Sequence, residues 1–167
     1  LCPDRVLLGM NRPHVRQGAF AELITAPEQN IYEIPKHLDI KEAAVAEPTA
    51  VSLHAVLMSE NSSKKPLSEC RILVQGAGAI GLLCALVLSK IKVAKNLTIS
   101  DPNRLRLEEC SKYVEGKFVS PTNKEINIDG FDIVFDTVGL EISRQQAISV
   151  VKPGGIIIHI GLTQPSG

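Results

Sequence analysis

The stretch RILVQGAGAIGLLCALVL, Arg71 to Leu88, decides how the rest of the chain is read. Ile72, Leu73 and Val74 form a short continuous apolar run, the signature of a parallel strand buried on both faces. Gly76, Gly78 and Gly81 follow at G-x-G-x-x-G spacing, and from Ala79 to about Ser89 good helix formers take over, with Leu82, Leu83, Leu86 and Val87 at helical spacing. The glycines therefore sit where a strand becomes a helix. There Gly76 permits the tight turn, Gly78 leaves room against the backbone, and Gly81 lets the helix pack closely on the sheet. The helix N-terminus offers free amides and the positive end of its dipole to an anion such as a pyrophosphate.

A glycine-rich turn inside a core gives the same motif, so the next strand carries the distinction. Asn96 to Ser100 reads as that strand, and it ends on Asp101, twenty residues beyond Gly81. A carboxylate at that distance can accept hydrogen bonds from both hydroxyls of an adenosine ribose. Strand, glycines, helix, strand and acid in this order point to a dinucleotide.

Eighteen basic residues balance eighteen acidic ones in 167 residues, so no electrostatic footprint for nucleic acid or an anionic membrane is expected. No apolar run is long enough to span a bilayer and Leu1 does not begin a secretion signal, which reads as a soluble, cytoplasmic chain. Cys2, Cys70, Cys84 and Cys110 form no C-x-x-C pair and are expected as reduced thiols.

Leu1 to Gln17 reads as a loop, and Gly18 to Ala26 and Asn30 to Ile34 as short strands, too few for a sheet. Asp39 opens a helix with Glu42 three residues on; Pro48 interrupts it, so a bend is expected at Glu47-Pro48 before the helix continues from Thr49 to Met58. After the polar turn Asn61 to Ser68 come the glycine strand, a helix over Leu105 to Tyr113, and a strand over Lys117 to Val119. Ser120 to Asp129 reads as a polar connection. Phe131 to Phe135 is a fourth strand, Glu141 to Val151 a helix stopped by Pro153-Gly154-Gly155, and Ile156 to Ile160 a fifth strand. Strand and helix alternate, which predicts an α/β doubly wound parallel sheet of the Rossmann type, order 3-2-1-4-5.

The blocks GAFAELITAPEQNIYEIP, EAAVAEPTAVSLHAV, ILVQGAGAIGLLCALV, SDPNRLRLEE, FDIVFDTVG and VVKPGGIIIHIGL, in that order, resemble the zinc-containing medium-chain alcohol dehydrogenases, the polyol (sorbitol) and threonine dehydrogenase branch in particular. The resemblance runs from Gly18 to the end and implies a fragment. Residues 1–46 would be the end of a truncated GroES-like, β-containing catalytic domain, and 47–167 a dinucleotide-binding domain lacking its last strand. It implies NAD as cofactor, zinc in the full-length parent, an alcohol or polyol as substrate, and a homo-dimer or homo-tetramer.

Residue by residue, the resemblance assigns Gly76, Gly78, Ala79, Ile80 and Gly81 to the pyrophosphate loop, with Ile80 also behind the nicotinamide. Asp101 would hold the ribose, and Arg106 would stack near the adenine. Val138, Gly139, Ile160, Gly161 and Leu162 would border the cofactor cleft, though Val138 and Ile160 also fit as core. Thr49 and Val51 would lie beside the nicotinamide, and Glu47 near or on the zinc, where a solvated helix glutamate is the alternative. His54 and His159 are expected as packing residues, and His14 and His37 show no ligand spacing; Cys2 resembles one cysteine of a structural-zinc lobe without its partners. Three functions stay open: a fragment of a zinc- and NAD-dependent polyol or secondary-alcohol dehydrogenase, a zinc-free quinone or enoyl reductase of the same superfamily, and a non-catalytic dinucleotide-binding module.

Overall fold

The computed structural model describes residues 8–9, 17–91, 96–122, 126 and 130–162. The expectations for Cys2 and His14 lie outside them. The chain divides into two compact units, Leu1–Ile40 and Lys41–Gly167. In the first, the described residues are almost all exposed, and the regular element is a single 3-10 turn, Glu28–Asn30, followed by extended backbone at Ile31. The strands expected over 18–26 and 30–34 do not form a ladder among the described residues. Alternation gives a segment the pattern of a strand, but a strand also needs a neighbour to bond to.

The short helix α1 (Ile40–Ala43) straddles the boundary, and the long helix α2 (Ala46–Ser62) follows within the second unit. The break falls at 44–45, before the expected bend. Val45 caps α2, so Pro48 sits in the first turn, where its missing N–H has no helical partner to lose, and Thr49 N already donates to Val45 O at 3.0 Å. Then follow β1 (Ile72–Gln75), α3 (Ala79–Lys90), β2 (Leu97–Ser100), α4 (Arg104–Ser111), β3 (Lys117–Val119), β4 (Phe131–Asp136), α5 (Glu141–Val150) and β5 (Val151–His159).

The five strands are all parallel in the order β3-β2-β1-β4-β5, as the alternation predicts. All four residues of β1 are buried, because the sheet is covered on both faces. Ile72 and Val74 pack with Ala55 and Val56 of α2 and with Cys84, Ala85 and Leu88 of α3, while Leu73 faces Ala147 and Val150 of α5 on the other side. Each buried Val, Leu or Ile among them contributes about 1.5 to 3 kcal/mol by leaving water. On α3 the fully buried stripe is Gly81, Cys84, Ala85 and Leu88, and Leu82, Leu83, Leu86 and Val87 are half-buried at its flanks. Three of these four, Gly81, Cys84 and Ala85, are small, which allows close approach.

β5 starts earlier than expected. Phe131 pairs with Val151 and Ile133 with Ile156, so Lys152 to Gly155 are accommodated as an irregularity between two paired segments. Pro-Gly-Gly interrupts the ladder without ending the strand.

Candidate functional site

At the carboxyl ends of the strands, the turn after β1 is made by Gly76 with φ +93°, a conformation that side chains rarely adopt. Its N–H donates to Ser100 O at 2.7 Å, tying the turn to the end of β2. Gly78 is the cap of α3, and no side chain caps that helix. A Cβ built on Gly78 would meet nothing within 4 Å, whereas one on Gly81 would land on the Gly76 carbonyl and lie 2.9 Å from Thr137 Oγ1. The two glycines thus do different work. Gly81 lets the first turn of α3 touch the Gly76 turn, a closer reason than the sheet packing expected of it, and Gly78 keeps open the space in front of uncapped amides. That space and those amides fit a pyrophosphate.

Asp101 is 4% exposed. Its Oδ2 accepts from Ala77 N at 2.8 Å and its Oδ1 from Asn103 N at 2.7 Å, while Asn103 Oδ1 caps α4 by accepting from Leu105 N and Arg106 N. The carboxylate therefore fixes the glycine loop and the start of α4, and each oxygen keeps lone-pair capacity for a ribose hydroxyl. Arg106 reaches to 3.9 Å of Asp101 Oδ2 with a largely exposed side chain, an ion pair of little strength.

The end of β4 is organised by a residue the sequence reading passed over. Asp136 is fully buried; its Oδ1 accepts from Val138 N, Gly139 N and Ser143 Oγ at 3.0 to 3.1 Å, and its Oδ2 lies 3.2 Å from His159 Nδ1. Burial alone would raise its pKa, but the Gly139 amide, His159, the Val138 amide and Ser143 outweigh burial and hold it below the ordinary carboxylate value. His159 is thus a partner of Asp136 rather than a packing residue, and His54 is exposed on α2. Ile160 N and Gly161 N both donate to Asp136 O, and a Cβ on Gly139 or Gly161 would collide with the other's backbone. Asp136 and these two glycines hold the loops after β4 and β5 against each other.

A cleft of about 650 Å³ opens beside these loops. Pro102, Val138, Leu140 and Ile142 give it apolar walls, and Gln75, Gly76, Ser143 and Gln146 are among its other lining residues. Val138, Leu140 and Ile142 are exposed, so Val138 is a wall and not core. Its size and largely apolar lining suit a small-molecule ligand. Of these residues the sequence signalled Gly76 and Val138; Gln75, a lone polar residue closing an apolar buried strand just before the first glycine, was a signal left unused.

The structure sets Gly76 close to both Gly81 and Val138, sets Asp101 on the loop between Gly76 and Gly78, and joins Gly139, Gly161 and Leu162. Ala79 is exposed and Ile80 half-buried in the first turn of α3, where Ile80 O accepts a 3.4 Å bond from Ser52 Oγ of α2. On α2, Thr49 turns its hydroxyl back onto Val45 O at 2.6 Å, Val51 is 38% exposed, and Glu47 is exposed in the first turn. No group of three or more metal-ligating side chains occurs among the described residues. One carboxylate does not make a tetrahedral zinc site, so these residues by themselves do not fit the metal. Cys70, Cys84 and Cys110 are free thiols; burial pushes Cys84 up to about 12 and raises Cys110, which suits packing and not reactivity.

No protein-family model matches the chain. It is 28% identical over 170 residues to an L-threonine 3-dehydrogenase of Aeromonas hydrophila, covering 97% of this chain and 46% of that protein. It is 31% identical over 157 residues to a probable D-xylulose reductase A of Aspergillus fumigatus, covering 87% and 42%. Its homologues are zinc-containing medium-chain dehydrogenases. Among solved structures, an oxidoreductase/dehydrogenase of unknown specificity from Escherichia coli matches with TM-score 0.85 and 26% identity, over 100% of this chain and 48% of that one. The chain spans about half the length of the medium-chain relatives it matches. Among the described residues no helix is long and apolar enough to cross a membrane.

Proposed function

We propose that residues 47–167 bind NAD across the carboxyl edge of the sheet, and that in the intact parent this unit accepts a hydride from a polyol or another secondary alcohol. The observation that carries the reading is the pairing of an open approach at Gly78 with a buried Asp101 bonded to the same loop. The amides at the start of α3 would hold the pyrophosphate, Asp101 the ribose, and the cleft walled by Pro102 and Val138 the adenine. Arg106 would lie along the outer side of the adenosine, and Ile80, Val138, Gly139, Ile160, Gly161 and Leu162 along the course of the cofactor. When bound, the nicotinamide supplies the acceptor for a hydride, while the alcohol becomes a carbonyl and gives up a proton.

The similarity to a threonine dehydrogenase and a xylulose reductase favours an alcohol or polyol substrate. On this reading residues 1–46 end a catalytic domain, the parent is a homo-dimer or homo-tetramer, Thr49 and Val51 lie beside the nicotinamide, and Glu47 lies near or on the metal. Zinc would need ligands beyond Glu47. The test is made in the intact parent. Reduction of NAD by polyols is expected, and Glu47→Gln should lower zinc content or turnover by about 10- to 100-fold with NAD affinity unchanged. Full zinc and full turnover in that variant would return Glu47 to an ordinary first-turn glutamate.

A further inference from the structure

We infer that Gln75 is a specificity-determining residue of the cleft, its amide oxygen reading the 6-amino group of adenine; the inference rests on the dinucleotide reading above. Gln75 ends β1 one residue before Gly76, lines the cleft, and is 2% exposed. Its Nε2 donates to Gln146 Oε1 at 3.0 Å, and Gln146 Nε2 donates to Pro121 O at 2.7 Å. The direction of this relay is fixed from its far end. A proline carbonyl can only accept, so Gln146 must turn its NH₂ toward Pro121 and its oxygen toward Gln75. Gln75 must then turn its own NH₂ to Gln146, which leaves its oxygen pointing the other way. That oxygen is buried and has no hydrogen-bond partner among the described residues.

A buried amide oxygen without a donor is costly, and one held so at a ligand cleft selects a ligand that brings a donor. Two apolar side chains of the cleft, Pro102 directly after Asp101 and Val138 directly before Gly139, offer the faces between which a base could lie. On an adenine ring the one exocyclic N–H donor is the 6-amino group, since the unsubstituted ring nitrogens accept. Hypoxanthine carries an oxygen at that position and would set acceptor against acceptor.

The experiment is calorimetric titration of the full chain with NAD and with nicotinamide hypoxanthine dinucleotide. The native protein should prefer NAD by about 10-fold, the usual penalty for leaving a buried polar group unpaired. Gln75→Leu should bring the ratio close to one, chiefly by weakening NAD. Gln146→Met, which keeps Gln75 but releases its amide from the relay, should lower the ratio as well and serves if Gln75→Leu does not fold. Equal native affinities would overturn the inference, as would an unchanged ratio in the variants, which would mean that a ribose hydroxyl or a water satisfies the oxygen. Failure of the native chain to bind either dinucleotide would overturn the NAD reading and the inference together.

Discussion

Asp132 and Asp136 lie four residues apart on β4, at opposite ends of one strand, and their surroundings separate the two edges of the sheet. At the amino edge Asp132 Oδ2 accepts from Arg71 N at 2.7 Å, and its Oδ1 is shared by Lys65 Nζ at 3.1 Å and Lys152 Nζ at 3.2 Å, both on partly exposed side chains. At the carboxyl edge Asp136 is bound by two loop amides, a buried serine and a histidine. Flexible lysines neutralise a charge and close an edge; fixed donors hold loops in one geometry. Only the second arrangement pre-organises a binding site, and there lie the open approach at Gly78 and the apolar cleft. Both carboxylates are held below the ordinary value despite burial, Asp132 chiefly by the Arg71 amide and then the two lysines.

The largest effect that would sharpen this contrast is on stability. Asp136→Ala strands several buried donors and should cost about 3 to 5 kcal/mol in urea unfolding, whereas Asp132→Ala should cost about 1 kcal/mol. Comparable losses would erase the distinction between the edges. Next in size, Gly78→Val should weaken NAD binding by about 100-fold or more, because a branched side chain would fill the approach to the α3 amides. Its circular dichroism and melting temperature should stay native, since nothing packs on Gly78; retained binding would make the motif an ordinary turn.

Smaller again is cofactor choice. Asp101 would face a 2′-phosphate as a like charge, worth about 4 kcal/mol at 4 Å and an effective dielectric of 20. The two amides bonded to Asp101 and the nearby Arg106 reduce that, so Asp101→Gly should narrow an NAD preference by about 10-fold. An unchanged ratio would leave Asp101 as a loop anchor alone. The smallest effect is in acid. Because Asp132 and Asp136 titrate lower folded than unfolded, the stability they contribute is complete above the unfolded value of about 3.9 and is lost as pH falls below it toward the folded values. Urea midpoints should thus be level from neutrality to about pH 5 and fall below about pH 4, and a rise there would contradict the pairing.

The sequence carried most of the sheet. Its order, the bounds of β3, and the strand-glycine-helix junction were legible because apolar runs and glycine spacing are local signals. What escaped was set by partners distant in sequence. The alternation of 18–26 suggested a strand, but among the described residues no ladder forms there. Pro153-Gly154-Gly155 looked like a stop, yet pairing with β4 carries β5 through it. Pro48 looked like an interruption because its position relative to the Val45 cap was unknown. In the candidate site, Gly78, Gly81 and Asp101 were readable from spacing and Gln75 stood out as a lone polar residue closing an apolar strand, while Asp136 and the walls Leu140 and Ile142 were not legible. Their roles depend on which loops the parallel order brings together, and one strand's sequence does not contain that.

The most direct test of the central claim, that the carboxyl edge is the dinucleotide site, is amide chemical-shift mapping of the labelled chain during titration with NAD. Saturable shifts are expected at residues 76–81, 101–106, 138–142 and 160–162, with Lys65, Asp132 and Lys152 unmoved. Shifts centred on the amino edge, or none at saturating NAD, would contradict it.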